Sequence, residues 1–513
     1  MRRICFGQRE LKNHRRPVRA RRLVPEALWL EAALAHLGPC AALAILGLLV
    51  GCASLPSQHG FADIERLATE RLGPEIRWNT GDREDAKVAQ AVRKLLERPL
   101  TAEAAVQIAV LNSHALQASY EKLGIARADL IQAGLVKNPV FSGTAAFGPS
   151  IEWEAALIED LLDLFTLAAR KRAAEASFEQ VKLEVASRVF ELAAKVRSVY
   201  YALVGDAQAL ELLRTAALGT EAAAELAERQ VEAGTLSRLE QSMHQALYAQ
   251  TLLDLARAEA EGRRDREQLN RLLGLWGSDV RWETPRRLPE VPASLPELAH
   301  LEARAIAHSL RLTAAKQGVD AFATTLETAL RFRWLSLLGI GIATHREPDG
   351  QFTGPRIELG LPIFDRGQAR FARLEAELRQ SEERLAALAV DLRAELRAAR
   401  DRLVAAHEQV HYLRRVLLPL RDTILVETQR QYNGMLLGVY DLLTAKQNEL
   451  NTARDYVAAV REFWLAWSDL ERVLGKRLPV PPAQTSSLRL DTEPAAEARS
   501  ASSTSEVNEH DTT

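Results

Sequence analysis

Apolar positions recur at alternating steps of four and three through much of the chain. After Phe178 come Val185, Val189, Leu192, Val196, Val199 and Leu203, with Arg, Lys and Glu between them. That spacing is the seam of a coiled coil. A second seam runs Phe371, Leu374, Leu378, Leu385, Leu388, Leu392, Leu396, Leu403, Val410, Leu413 and Leu417. From Phe165 to Glu232 there is no proline, so a single helix there would extend about 100 Å at 1.5 Å per residue. The second long helix is expected from about Gln368 to Tyr432, with a bend at Pro419.

The pattern changes to period two in two places. In "NPVFSGTAAFGPSIEWEAALI", Ile151, Trp153, Ala155 and Leu157 alternate with Glu152, Glu154 and Ala156. Further on, Trp334, Leu338, Ile340 and Ile342 share a face, a Gly/Pro/Asp turn follows, and Ile357, Leu359, Leu361 and Ile363 alternate with Arg356, Glu358 and Gly360. These are hairpins at about 139–158 and 334–363, apolar on one face and polar or small on the other.

The chain also resembles itself. "EAGTLSRLEQ" (Glu232 to Gln241) is echoed by "NGMLLGVYDLL" (Asn433 to Leu443), and each is followed by a segment ending "LLG" or "VLG". "SHALQASYEKLGIARADL" has its counterpart in "HSLRLTAAKQGVDAFATTL". Two copies about 200 residues apart imply two similar halves, expected at 101–280 and 299–478, each reading helix, hairpin, long helix, turn, helix. A proline-rich linker, 281–298, joins them, 52–100 precede the first, and the Ser/Thr/Glu-rich tail 479–513 reads as disordered. The fold class is mainly α with a small β part.

Four strands cannot close a barrel, for which about eight are needed, and open edges are not tolerated in lipid. If these strands cross a membrane, several chains must pool them; three would give twelve strands around a lumen lined by Glu152, Glu154, Arg356 and Glu358.

The N-terminus bears on where this happens. Arg15, Arg16, Arg19, Arg21 and Arg22 precede an apolar run, Ala41 to Val50, too short to span a bilayer. "LVGC" ending at Cys52 resembles a bacterial lipobox, so residues 1–51 read as a signal peptide and Cys52 as the acylated N-terminus, with translation starting at or downstream of Met1. No cysteine follows Cys52, so the chain cut before Cys52 would have no internal disulfide. The whole chain's 66 Lys and Arg against 68 Asp and Glu become 57 against 65 once the leader is removed, a net charge of −8. An acidic exported chain with dispersed arginines is a poor nucleic-acid binder.

One motif points to chemistry. "HEQVH" satisfies H-E-x-x-H, in which His407 and His411 would hold zinc and Glu408 act as base. It lies inside the second seam, through Val410, and lacks the continuation that supplies a third ligand. No phosphate loop or serine elbow is present.

Together, the lipobox, the repeat, "AGLVKNPVFS" before the first hairpin, "LGLPIFDRGQAR" after the last strand and the two glycine-containing turns resemble the TolC-like outer-membrane efflux proteins, lipoprotein branch, over residues 90 to 478. The resemblance implies a homotrimer in the outer membrane of a Gram-negative bacterium, with a shared twelve-stranded barrel and a long periplasmic α-helical barrel. Such a protein is the passive exit duct of a tripartite pump, with a periplasmic adaptor and an inner-membrane pump as partners. It needs no cofactor beyond the lipid on Cys52 and carries out no reaction. Its tips would be the turns at 233–237 and 433–439: Gly234, Thr235, Leu236 and Ser237, and Gly434, Met435, Leu436, Leu437 and Gly438, which would contact the adaptor. Glu240 and Asp441 would form an acidic aperture ring. The copies are offset, since Gly234 to Glu240 is six residues and Gly434 to Asp441 seven. The alternative function is a periplasmic coiled-coil adaptor lipoprotein, which would need one hairpin of helices flanked by small β domains. A zinc metalloprotease is the third reading. The exported substrate is not legible.

Overall fold

The computed structural model describes residues 60–81, 85–147, 151–335, 337–347 and 349–479. Cys52, the leader and the tail from 480 lie outside them. Four helices come first: α1 (Phe61–Leu72), α2 (Asp85–Leu96), α3 (Ala102–Asn112) and α4 (His114–Ala133). Strands β1 (Val140–Phe147) and β2 (Ile151–Asp160) follow, then α5 (Leu161–Glu232) and α6 (Arg238–Leu273). After the proline-rich segment come α7 (Leu301–His308), α8 (Leu310–Arg331), β3 (Leu337–Glu347), β4 (Gly350–Gly360), α9 (Gln368–Tyr412), α10 (Leu418–Asn433) and α11 (Val439–Leu474).

The 72 residues of α5 amount to roughly 108 Å of helix. It begins directly where β2 ends, because Asp160 caps it by accepting the Leu162 amide at 3.0 Å. The first predicted seam is its packing face: Val185, Val189, Val196, Val199 and Leu203 are buried and Leu192 packs against them. In α9, Leu392, Leu396, Leu403 and Val410 are buried, whereas Phe371, Leu374 and Leu378 are only half-buried in the single chain. The expected single helix from Gln368 to Tyr432 is instead interrupted by one π-helical turn, Leu413–Leu417, with Pro419 in the first turn of α10. Proline has no amide to donate and its ring collides with the carbonyl four residues back. Widening the helix just before it absorbs both.

The core lies around the middle of α5. Helices α1 to α4, the C-terminal parts of α6 and α11, and the segment between the halves all pack there. That segment is held closely: Trp282 is buried, donates to Asn270 Oδ1 at 2.9 Å and carries the Arg266 guanidinium 4.0 Å above its ring. Trp464 donates to the Pro289 carbonyl at 3.0 Å and stacks on Tyr201. A buried ion pair fastens α5 to α11, with the Arg197 guanidinium 3.0 Å from Glu471 Oε2. The other carboxylate oxygen accepts from Trp467 Nε1 and the Leu478 amide. Burial pushes the Glu471 carboxyl up, partly offset by Arg197.

Candidate functional site

The four strands form one antiparallel sheet in the order β1-β2-β3-β4. Register fixes which side chains share a face: Phe141 faces Leu157, Leu157 faces Ile342, Ile340 faces Ile357 and Leu338 faces Leu359. Among the described residues nothing covers this apolar face. Phe141 is 72 % exposed, Phe147 85 %, Ile342 63 % and Ile357 70 %. A soluble sheet turns such a face inward, so the alternation seen in sequence here marks an outward apolar surface. The first hairpin runs two residues past its expected end, to Asp160, and the second is shorter than the alternation suggested. Trp334 lies in the turn ahead of β3, and β4 ends at Gly360 because Pro362 has no amide with which to continue the ladder; Leu361 and Ile363 follow it, exposed.

The opposite face carries Glu154, Arg356 and Glu358. Arg356 on β4 reaches across β3 to Glu154 on β2 at 2.7 Å and also contacts Glu358 at 3.0 Å. It can do so because β3 presents Gly339, Gly341 and Ala343 on that side. A Cβ at Gly341 would stand 2.0 Å from the Leu157 carbonyl oxygen, so the strand admits no larger residue there. Where the sheet meets α5, Asp163 is buried between Lys137 and Arg170, each at 2.8 Å. Burial raises its carboxyl, and the Lys137 hydrogen bond with the charges of Arg170 and Lys137 more than reverses this, leaving it below the usual range.

The two tip turns are built alike. Ala233 ends α5 with φ −78° and Gly434 ends α10 with φ −81°. The next residue is left-handed in both, Gly234 at φ 72° and Met435 at φ 58°. The Thr235 amide donates to Gln230 at 2.9 Å and the Leu436 amide to Gln431 at 2.9 Å. Ser237 and Gly438 are then the N-caps of α6 and α11. The seven-against-six offset between the copies is therefore corrected: Gly434 matches Ala233, Met435 matches Gly234, Gly438 matches Ser237, and no residue is extra. Gly434 is not the left-handed residue of its turn.

Glu240 and Asp441 hold corresponding positions, three past each cap. Glu240 accepts from the Ser237 hydroxyl at 2.7 Å and amide at 3.0 Å, while its own amide donates back to Ser237 Oγ. These hydrogen bonds hold its carboxyl below the usual range. Asp441 accepts the Gly438 amide at 3.0 Å; glycine offers no side chain to complete the reciprocal bond. Both carboxylates thus cap the N-termini of helices, α6 and α11. Sequence reasoning missed their neighbours. Tyr440 donates to Gln230 Oε1 at 2.7 Å, linking the start of α11 to the end of α5, and His244 stacks on its ring at 4.1 Å. Leu239, Met243, Met435 and Leu436 are exposed around the tips.

His407 and His411 lie on one face of α9, with ring centroids 4.3 Å apart. Glu408 is exposed on another face, and among the described residues no three His, Cys, Asp or Glu side chains gather for a metal. Nor is any described helix long and apolar enough to cross a membrane.

No protein-family model matches the chain. It is 22 % identical over 384 residues to the cobalt-zinc-cadmium resistance protein CzcC of Cupriavidus metallidurans, covering 74 % of this chain and 90 % of that one. Its fold matches that of the outer-membrane channel OprN with a TM-score of 0.63 at 17 % identity, over 79 % of this chain and 99 % of that one. A membrane protein from Pseudomonas aeruginosa matches at 0.61 and 19 % identity, over 78 % and 96 %.

Proposed function

We propose that this chain, which has the fold of the TolC-like outer-membrane efflux channels, is the exit duct of a tripartite efflux pump. The observation that carries this is an apolar sheet face that no described residue covers, in a sheet whose outer strands β1 and β4 pair with no other described strand on their far sides. In lipid an apolar outward face is required and an open edge is excluded. Because β1 and β4 run in opposite directions, β4 of one chain pairs antiparallel with β1 of the next. Three copies close a barrel of twelve strands, with Glu154, Arg356 and Glu358 toward the lumen. The half-buried N-terminal part of the α9 seam then packs against the neighbouring protomer.

The rest of the assembly follows from this arrangement. Strands β2 to β4 have 10, 11 and 11 residues and β1 has 8, against the roughly 9–11 needed to cross a bilayer obliquely. Acylated Cys52 would anchor the chain beside the barrel. The exposed apolar residues of the tips would receive a periplasmic adaptor, and three copies of Glu240 and Asp441 near the narrowed end would set a negative field for passing cations. Conduction would be passive, with energy supplied by the inner-membrane partner. The match to CzcC makes divalent metal ions the first substrate class to try.

The test is a resistance assay in a strain lacking the chain. Wild type should restore resistance, and a Met435→Asp, Leu436→Asp variant should not, although it reaches the outer membrane as the same oligomer. Full resistance with both aspartates in place would remove the tips from the docking role. No change in resistance on deleting or restoring the chain would remove the efflux function.

A further inference from the structure

The histidine pair is not used by the duct, and its geometry is specific. His407 Nε2 lies 3.0 Å from His411 Nε2 and 3.0 Å from the Pro292 carbonyl oxygen, and His411 Nε2 lies 3.4 Å from that same oxygen. Two ring nitrogens and one carbonyl therefore converge on a single point. As neutral imidazoles they cannot satisfy one another well: a ring nitrogen that donates its proton to the carbonyl has no lone pair left for the other ring. His411 Nδ1 is buried without a partner, so the His411 ring is not oriented by a hydrogen bond behind it.

We propose that His407 Nε2, His411 Nε2 and the Pro292 carbonyl oxygen bind one borderline transition-metal dication, such as Zn²⁺ or Co²⁺, which clamps the segment between the halves onto α9. Adjacent ligands of a tetrahedral ion with bonds of about 2.0–2.1 Å stand about 3.3 Å apart. The observed separations lie within a few tenths of an ångström of this, so little movement is needed. Spacing of i and i+4 on a helix puts both rings on one face, both residues are half-buried, and a water would complete the ligand set. Nitrogen ligands select such ions over Mg²⁺ and Ca²⁺, which take oxygen. Arg414 and Arg415 follow on the same chain and add positive charge, so the site gains nothing from a local field and depends on the nitrogen bonds. Lacking an outer hydrogen bond at His411, it should bind about 10–100-fold more weakly than a fully supported site. Glu408 is on another face, so the site is a clamp without a base.

The experiment uses the full-length, detergent-extracted protein without a histidine tag, titrated with Co²⁺ and followed by its visible ligand-field absorption. One Co²⁺ per chain with a tetrahedral band, displaced by Zn²⁺ and not by Mg²⁺, is expected. His407→Gln and His411→Gln should each abolish the band while helical circular dichroism and oligomeric mass stay unchanged, and Glu408→Gln should keep it. Zn²⁺ should also slow amide hydrogen exchange in residues 288–296 of the wild type alone. Absence of a band in the wild type, a band that survives both histidine substitutions, or metal binding that leaves exchange around Pro292 unchanged would overturn the proposal. None of these readouts depends on transport.

Discussion

Placing a lysine at Ile342 should prevent the sheet from entering a membrane, while a lysine on the other face of the neighbouring strand should not. Ile342 is central in the 11 residues of β3, pairs with Leu157 on one side and Pro355 on the other, and is 63 % exposed on the apolar face. At the bilayer midplane a lysine on the lipid face of a barrel costs about 2–4 kcal/mol, so three symmetric copies cost about 6–12 kcal/mol per assembly. That is comparable to the whole stability of a typical domain. Gly354 is the control: it pairs with Ala343 on the lumen side, and a Cβ there would meet nothing within 4 Å. The assay is the fraction of protein recovered from the outer membrane as a heat-modifiable oligomer, together with urea unfolding of what is recovered. Ile342→Lys should reduce that fraction sharply and Gly354→Lys should leave it near wild type. Equal effects of the two, or a larger effect of Gly354→Lys, would refute the assignment of faces.

Other consequences follow from individual contacts. Breaking the buried Arg197–Glu471 pair with Arg197→Met should destabilise by about 3–5 kcal/mol in denaturant titration, because it leaves a buried carboxylate without its counter-charge, whereas Arg197→Met with Glu471→Gln, whose neutral side-chain oxygen still accepts from Trp467 and the Leu478 amide, should recover part of it. Met435→Gly should stabilise the second tip by about 1 kcal/mol by removing a left-handed side-chain-bearing residue, and Gly234→Ala should destabilise the first by a similar amount; local hydrogen exchange reads both, and shifts of the same sign would contradict the equivalence of the two positions. Asp163 is ionised more readily in the fold than in the unfolded chain, where its pKa is about 3.9. Its contribution is thus present above that value and lost as pH falls through the lower folded value. Asp163→Asn should lower stability at neutral pH and flatten the acid limb of the stability profile.

What the sequence made legible was whatever repeats along one element. Heptads gave the long helices, and period two gave four strands within a few residues of their ends. The errors arose where one residue type stood for a conformation. Glycine marked the left-handed position at Gly234, but in the second turn that position is Met435, and Gly434 is an ordinary helix end. The local carbonyl acceptors hold Met435 at positive φ despite its side chain. The role of Glu240 is written in "SRLE", which spells a reciprocal cap. Contacts between residues far apart in the chain were not legible: Arg197 and Glu471 are separated by 274 positions, and Pro292 and His407 by 115. Alternation likewise showed that β3 has an apolar face, but only the structure showed that none of the described residues covers it.

The central claim is that chains pool their strands, and the oligomeric mass of the detergent-extracted protein from the outer-membrane fraction tests it most directly, measured before and after boiling. A trimer whose β signal and assembly are both lost only on heating is the predicted result. A water-soluble monomer would contradict the account and return the sheet to an ordinary surface.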